Sequence, residues 1–383
     1  MSFRRKLSCL FCRWVMTVNK MAEYLYLHVP FCRHICYYCD FTHIAYTKNK
    51  ADEWLEAVEK ELSVKRINPC LKTIYIGGGT PTSLSKDQLE HLFRILEPYS
   101  ANVQEYTIEI NPETFDADKA ECLQAYGVNR ASIGFQTSDP GMLKAIGRNH
   151  SYEDAKKTVA LLKECGIQNI SLDLMYSLPG QTMEMLQKSV EDALALSPTH
   201  MSLYSLLVEE NTVFGRRGIE PLDEETEADM YEWICEKLER EGFHQYEISN
   251  FSLEGKESLH NQAYWKYDDF YGIGCGASGK ENHIRYDNTK SLSLYLKDPL
   301  LKEEIPLSIK DEMFEMAMMG LRLKQGMDLN GFTERFGIDF EEAFSGKIER
   351  LLEKGWLKKE KGHISCSKES FGILNTILIE LMD

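Results

Sequence analysis

Residues 26–41 read YLHVPFCRHICYYCDF: a short apolar run, then three cysteines within eight positions, Cys32, Cys36 and Cys39. Composition alone would place Cys-x3-Cys-x2-Cys in roughly one chain in a hundred of this length and cysteine content, so accident is a poor account of it. Two chemistries compete for the thiolates. Zinc would take them with His43 in a closed Cys3His tetrahedron. A [4Fe–4S] cluster would use the three and leave its fourth iron without a protein ligand. The spacing alone suits either.

The flanking sequence bears on the choice. From Tyr24 onward, strand-like runs at 24–29, 73–77, 106–110, 130–135, 170–176 and 200–206 alternate with helical patterns at 51–65, 86–96, 116–126, 151–164, 182–195 and 223–241. Six βα units in succession imply a right-handed parallel sheet, either doubly wound or curled toward a barrel. Periodicity does not choose between these, but both place their sites at the carboxyl edge of the sheet. The cysteine loop follows the first strand, a catalytic position rather than that of a free-standing zinc module. The second strand ends in GGGTPT (77–82), where three glycines clear space for a ligand to approach backbone. Glu109, within EINPE (109–113), lies on the third strand; Gln136 follows the fourth and Asp173 lies on the fifth. Each alone is an ordinary polar residue in a strand. On adjacent strands they read as one pocket.

After about residue 250 the rhythm breaks, and 251–307 reads as an aromatic, glycine-rich loop region laid on the barrel. From 308 to 383 comes a compact unit with helices expected at 310–323, 330–336, 341–354 and 368–382. GWLKKEKGHISCS (355–367) reads as a hairpin between the last two. Helices with a hairpin give a winged-helix-like α+β domain. The first 23 residues precede the first strand. They lack a continuous apolar stretch and a small-residue cleavage site, so they read as an extension, with Met21 the expected start.

The totals narrow the function classes. At 383 residues, with 43% apolar and 27% charged residues, the chain has material for a large domain and a smaller one. A net charge of −16 argues against a nucleic-acid partner. Apart from the cluster, the eleven cysteines are scattered and odd in number, unlike a secreted disulfide framework, so a cytoplasmic protein is expected. No apolar run approaches the ~20 residues of a membrane span, which leaves peripheral membrane contact as the only kind expected.

The motifs YLHVPFCRHICYYC, GGGTPT, EINPE, GFQTSD (134–139) and LDLMYSLPGQT (172–182) together resemble the radical S-adenosylmethionine (SAM) superfamily. Within it, the likeness is to the branch of oxygen-independent coproporphyrinogen III dehydrogenases and heme chaperones, and it runs from about Tyr24 to the end. The resemblance implies a partial (βα)6 barrel over 24–250. It also implies that SAM chelates the open iron of a [4Fe–4S] cluster, whose electron cleaves the sulfonium to a 5′-deoxyadenosyl radical. By the same resemblance Tyr26, Gly78, Gly79, Thr80 and Glu109 match positions that hold the cluster-bound molecule. Tyr38, Gln136, Arg148 and Asp173 match those around a second one in the dehydrogenases.

Two departures separate the branches. The dehydrogenases carry a further cysteine two residues after the third ligand, where this chain has Phe41, and a longer arm before the barrel. HNQAYW (260–265) matches the His-Asn-x-x-Tyr-Trp motif of the heme chaperones. It makes His260, in an adaptable loop, the candidate axial ligand for heme iron, with Tyr264 and Trp265 against the porphyrin face. The alternative for His260 is a loop residue bonded to a carbonyl. The expectation is therefore a heme chaperone that binds heme, a [4Fe–4S] cluster and SAM and passes heme to acceptor hemoproteins such as respiratory enzymes, without coproporphyrinogen decarboxylation. The rivals are a dehydrogenase or other radical enzyme acting on a tetrapyrrole, and a zinc-stabilised binding protein.

Overall fold

A computed structural model describes residues 21–382; of the expected extension at 1–23, residues 1–20 lie outside the described residues, and with them the question of the start at Met21. Six parallel strands stand side by side in chain order: β1 (Tyr24–Val29), β2 (Thr73–Gly78), β3 (Glu105–Ile110), β4 (Arg130–Gln136), β5 (Asn169–Tyr176) and β6 (His200–Ser205). Tyr271–Ile273 adds a parallel strand outside β1, and Asn250–Ser252 with His244–Gln245 adds two antiparallel strands outside β6. The sheet therefore curls without closing edge to edge, which is the expected partial (βα)6 barrel.

Alternation explains the curl. The outward residues of these strands are apolar: Ile74, Ile108, Ile133, Leu172, Leu174 and Met201 are fully buried beneath the surrounding helices. Each such side chain contributes about 1.5–3 kcal/mol by burial. The inward residues are polar: Tyr75, Glu109, Arg130, Ser132, Ser171, Asp173, His200 and Ser202 all line one cavity. Most parallel barrels fill their interior with branched aliphatic side chains; this one keeps it for polar groups.

The helices start where sequence chemistry starts them. Ser85 with Gln88 and Ser151 with Asp154 form capping boxes at the heads of Lys86–Ser100 and Tyr152–Glu164, and Thr182 and Asp223 cap Met183–Ala195 and Glu224–Arg240.

The 251–307 stretch is more ordered than a loop region. It holds the helix Leu259–Trp265 and a three-stranded antiparallel sheet of Ser278–Glu281, Ile284–Asn288 and Lys302–Pro306. The C-terminal unit has its own apolar cluster around Phe332, Phe340, Ile348 and Ile377. Helix Ile309–Gly320 ends three residues before the expected 323. The expected helix 341–354 is two helices, Phe340–Ala343 and Lys347–Glu353, because Gly346 takes φ 78° between them. The last helix begins only at Leu374. The hairpin Leu357–Glu360 with His363–Cys366 lies where it was expected, and Met327–Asp328 completes its sheet. Tyr267 donates a 2.6 Å hydrogen bond to Glu315, one of the links between this unit and the barrel side.

Candidate functional site

The cysteine loop leaves β1 and is tied down at both ends. Phe31 is fully buried edge-on against Trp54 at 5.7 Å, and Tyr46 N–H donates to the Cys32 carbonyl at 2.9 Å. On the far side Tyr37 N–H reaches the Ile146 carbonyl, and Tyr37 O accepts from Phe214 N–H. The three free thiols thus face a cavity of about 400 Å³ at the carboxyl ends of the strands, a size suited to one small molecule.

The glycines of β2 do what their residue type permits. Gly78 has φ 113°, and a Cβ there would fall 2.6 Å from His28 Nδ1; at Gly79 it would fall 3.0 Å from Cys32 Sγ and 2.9 Å from the Phe31 carbonyl. Any larger residue would push the cysteine loop away. Gly78 N–H donates to Glu109 Oε2 at 3.0 Å, and Tyr75 O–H donates to Oε1 at 2.9 Å. Burial pushes the Glu109 carboxyl up to about 7 despite these two donors, with Asp173 adding to the rise.

A chain of hydrogen bonds runs across the wall. Thr80 O–H points at Cys32 Sγ across 3.6 Å, Asn111 Nδ2 donates to Thr80 Oγ1 at 3.0 Å, and Arg148 donates to Asn111 Oδ1 at 2.7 Å and to the Tyr38 hydroxyl at 3.3 Å. Deeper in, Asp173 accepts from Ser132 and Ser171; burial raises its pKa while these hydroxyls and Ser202 oppose the rise. Gln136 ends β4 at φ 61°, where the register with β5 slips, a backbone state that few side chains adopt.

Of the residues expected at the site, the cavity gathers Cys32, Cys36, Cys39, Tyr38, Gly78, Gly79, Thr80, Glu109, Gln136, Arg148 and Asp173. Tyr26 stands behind the wall. Its hydroxyl donates to His28 Nδ1 at 3.0 Å, because His28 Nε2–H already donates to the Thr42 carbonyl at 2.8 Å.

His260 is elsewhere, and its expected setting is corrected. It lies in the first turn of Leu259–Trp265, 1% exposed, at the amino ends of the barrel strands, not in an adaptable loop. Nδ1 bonds Thr73 Oγ1 at 2.6 Å and Nε2 bonds the Tyr264 hydroxyl at 2.7 Å, so both nitrogens are engaged. The carbonyl partner offered as the alternative is also wrong, since both partners are hydroxyls. The reason is Glu105, the first residue of β3, which accepts from Leu259 N–H, His260 N–H and the Ser258 hydroxyl and so seats the helix under the barrel. Asn261 of the same motif does reach the cavity wall.

Asn111, Tyr75 and the Ser132–Ser171–Ser202 group went unmarked in the sequence. The period-two alternation within EYTIEI, RASIGF and NISLDL carried the signal for the inward polar face.

Whether the thiols fit a cluster can be tested on their surroundings. Among the described residues no group of His, Cys, Asp or Glu side chains converges as a single metal ion requires. His43 Nδ1 lies 2.6 Å from the Phe41 carbonyl and 3.9 Å from Cys39 Sγ, so this histidine could reach a zinc ion only through Nε2. Burial pushes the Cys32 thiol up to about 11 and Cys39 up to about 12, as it pushes the buried Cys122 and Cys366 thiols up to about 11, so the rise reports burial and does not mark a metal site. Cys32, Cys36 and Cys39 all line the one cavity, which fits a cluster held by three thiolates.

Comparisons with known proteins agree with the geometry. The Radical SAM superfamily matches residues 26–193, and the HemN C-terminal domain matches 307–371. The chain is 41% identical to the heme chaperone HemW of Lactococcus lactis over 92% of its own length and 95% of the relative's. It is 39% identical to that of Bacillus subtilis over 88% and 93%, and 31% identical to that of Escherichia coli over 92% and 96%. Among solved structures it is similar in fold to E. coli coproporphyrinogen III oxidase, HemN, with TM-score 0.83 and 21% identity, covering 96% of this chain and 92% of that one. The protein uses a radical SAM scaffold, with the [4Fe–4S] cluster and SAM of that superfamily, and it belongs to the heme chaperone HemW family.

Proposed function

We propose that this protein binds heme and hands it to acceptor hemoproteins, respiratory enzymes among them, using the radical SAM barrel as its scaffold. The observation that carries the reading is the 41% identity to a named heme chaperone over nearly the whole of both chains. Phe41 supports it. Where the dehydrogenases place a further cysteine, this side chain stands 65% exposed at the cavity wall, an apolar group with no proton to give. Cys32, Cys36 and Cys39 hold the cluster. Gly78, Gly79, Thr80 and Glu109, with Tyr26 behind them, hold SAM. Tyr38, Gln136, Arg148 and Asp173 line the remainder of the cavity. When bound, the cluster supplies the electron for SAM cleavage. The chain's own residues orient SAM and exclude water around it.

Ligation of heme by this buried His260 requires the Thr73 or the Tyr264 hydroxyl to be displaced, since both imidazole nitrogens are bonded. Among the described residues no helix is long and apolar enough to cross a membrane. Contact with membrane-bound acceptors is then peripheral, and a cytoplasmic setting fits this.

The second reading, an enzyme acting on a tetrapyrrole, is favoured by one observation: all but one of the residues matched to the two SAM molecules of the dehydrogenases line one cavity. Anaerobic reconstitution separates the two. The chaperone reading expects stoichiometric heme binding and heme transfer to an apo-hemoprotein, with no protoporphyrinogen IX formed from coproporphyrinogen III, SAM and a reductant. Catalytic formation of that product would overturn it.

A further inference from the structure

The residues on either side of His260 connect the floor of the barrel to its catalytic edge. The His260 ring is stacked on Tyr75 with centroids 5.1 Å apart and planes at 29°. Tyr75 also meets Tyr26, with centroids 6.0 Å apart and planes tilted by 33°. The Tyr75 hydroxyl then donates to Glu109, whose second oxygen is held by Gly78 N–H. We infer that His260 is a positioning residue for the SAM site: clamped by Thr73 and Tyr264, it fixes the ring of Tyr75, and Tyr75 fixes the carboxylate of Glu109. This rests on the reading that Glu109 holds SAM.

The physical argument is one of constraint. A tyrosine in a polar cavity has room to swing about χ1 and χ2 unless its ring and its hydroxyl are both held. His260 stacks on the ring, Tyr26 packs against it at a tilt, and Glu109 takes the hydroxyl. His260 cannot itself swing, because its two ring nitrogens are bonded to groups on different elements, Thr73 at the start of β2 and Tyr264 one helical turn away. The helix cannot drift, because Glu105 holds its first N–H groups at 2.9 Å. Thr73 and Glu105 open the strands that end in Gly78 and run through Glu109. The motif helix is therefore braced on the two strands whose carboxyl ends form the SAM contact. Burial holds His260 down to about 3, so it stays neutral and its contacts do not change with pH near neutrality. It does not line the cavity, so it acts only through Tyr75.

The test is SAM affinity of the full chain carrying its cluster, without heme, by equilibrium dialysis, with the change in the cluster's EPR signal on SAM addition as second readout. Tyr75→Phe keeps the stacked ring and removes the donor; it weakens SAM binding roughly tenfold, the scale of one hydrogen bond to a charged group. His260→Ala gives a loss of the same size with the cluster's iron content unchanged. The double variant is no weaker than either single one, since both act on one carboxylate. His260→Asn, which keeps a group facing Thr73, recovers part of the loss. Should His260→Ala fail to fold, Tyr264→Phe, which removes only the hydroxyl on Nε2, carries the test with a smaller loss. Glu109→Gln separates the two levels. If it binds SAM as the parent does, the reading of Glu109 falls. If it weakens binding while Tyr75→Phe and His260→Ala keep the parent's affinity, or if their losses simply add, the positioning role is overturned.

Discussion

Arg148 donates a 2.7 Å hydrogen bond to Asn111, joining the loop after the third barrel strand to the segment after the fourth. Asn111 also holds Thr80, and Thr80 faces the sulfur of Cys32. With Arg148 bonded to Tyr38, the chain of contacts begins and ends on the cysteine loop.

Asn111→Ala cuts this chain in its middle and leaves the Arg148 guanidinium and the Thr80 hydroxyl each short of a partner. SAM affinity should fall by roughly tenfold, as for loss of a hydrogen bond to a charged group. Iron content should hold, because all three thiols remain. Loss of the cluster instead would mean that Asn111 supports the cysteine loop itself.

Replacing Cys32, Cys36 or Cys39 by serine should abolish the reconstituted iron–sulfur absorption. Cys70 is exposed on the surface and Cys366 is buried in the C-terminal hairpin, so serine at either should leave iron per chain at the parent's value. A zinc stoichiometry of one with no bound iron in the parent would refute the cluster.

Glu109 sets a pH dependence. Burial raises its carboxyl to about 7, Tyr75 and Gly78 donate to it, Asp173 repels its charge and Arg148 favours it. The carboxylate is charged above about 7 and protonated below. SAM carries a sulfonium and an ammonium, so its affinity should fall as pH drops through about 7, by up to about tenfold per unit. Glu109→Gln should flatten that limb of a dialysis profile. For folding the sign reverses: the protonated form is favoured in the native state. The contribution is full below the ordinary value of 4.5 and is lost as pH rises through about 7.

His260→Ala removes a fully buried ring with two hydrogen bonds and should cost about 2–4 kcal/mol of stability, read from chemical denaturation. If heme iron takes this imidazole, it must displace Thr73 or Tyr264 and loosen Tyr75. SAM and heme then oppose each other, each weakening the other by the same factor. A Soret titration with and without SAM checks this; unchanged or tighter heme binding in its presence would count against His260 as the ligand. A control histidine outside the motif should carry no structural bond of its own, which excludes His283, whose Nδ1 bonds Glu312 at 2.9 Å. His244, exposed on an edge strand, is a better one and should bind heme as the parent does.

Much of this was legible in the chain. Cysteine spacing, the glycine run and the strand–helix rhythm are local: each depends on residues a few positions apart, and neighbours in sequence are enough to express them. The six barrel strands therefore appear within a residue or so of where their apolar runs predict, and the residues just after them converge because parallel βα units bring all carboxyl ends to one edge.

What sequence alone could not decide is which partner each buried polar group takes. HNQAYW reads as part of a loop because it stands in a glycine-rich, polar stretch where the strand–helix rhythm has broken. It is instead nearly the whole of the short helix Leu259–Trp265, because Glu105, some 150 residues earlier, accepts from its first N–H groups. Asn111 passes for a turn residue before Pro112 until Arg148 and Thr80 arrive on either side. The sequence by itself determined the scaffold and the family. Only the tertiary structure decided that His260 lies beneath the barrel with both nitrogens engaged, because a buried imidazole must find its hydrogen bonds among whatever groups the fold brings to it.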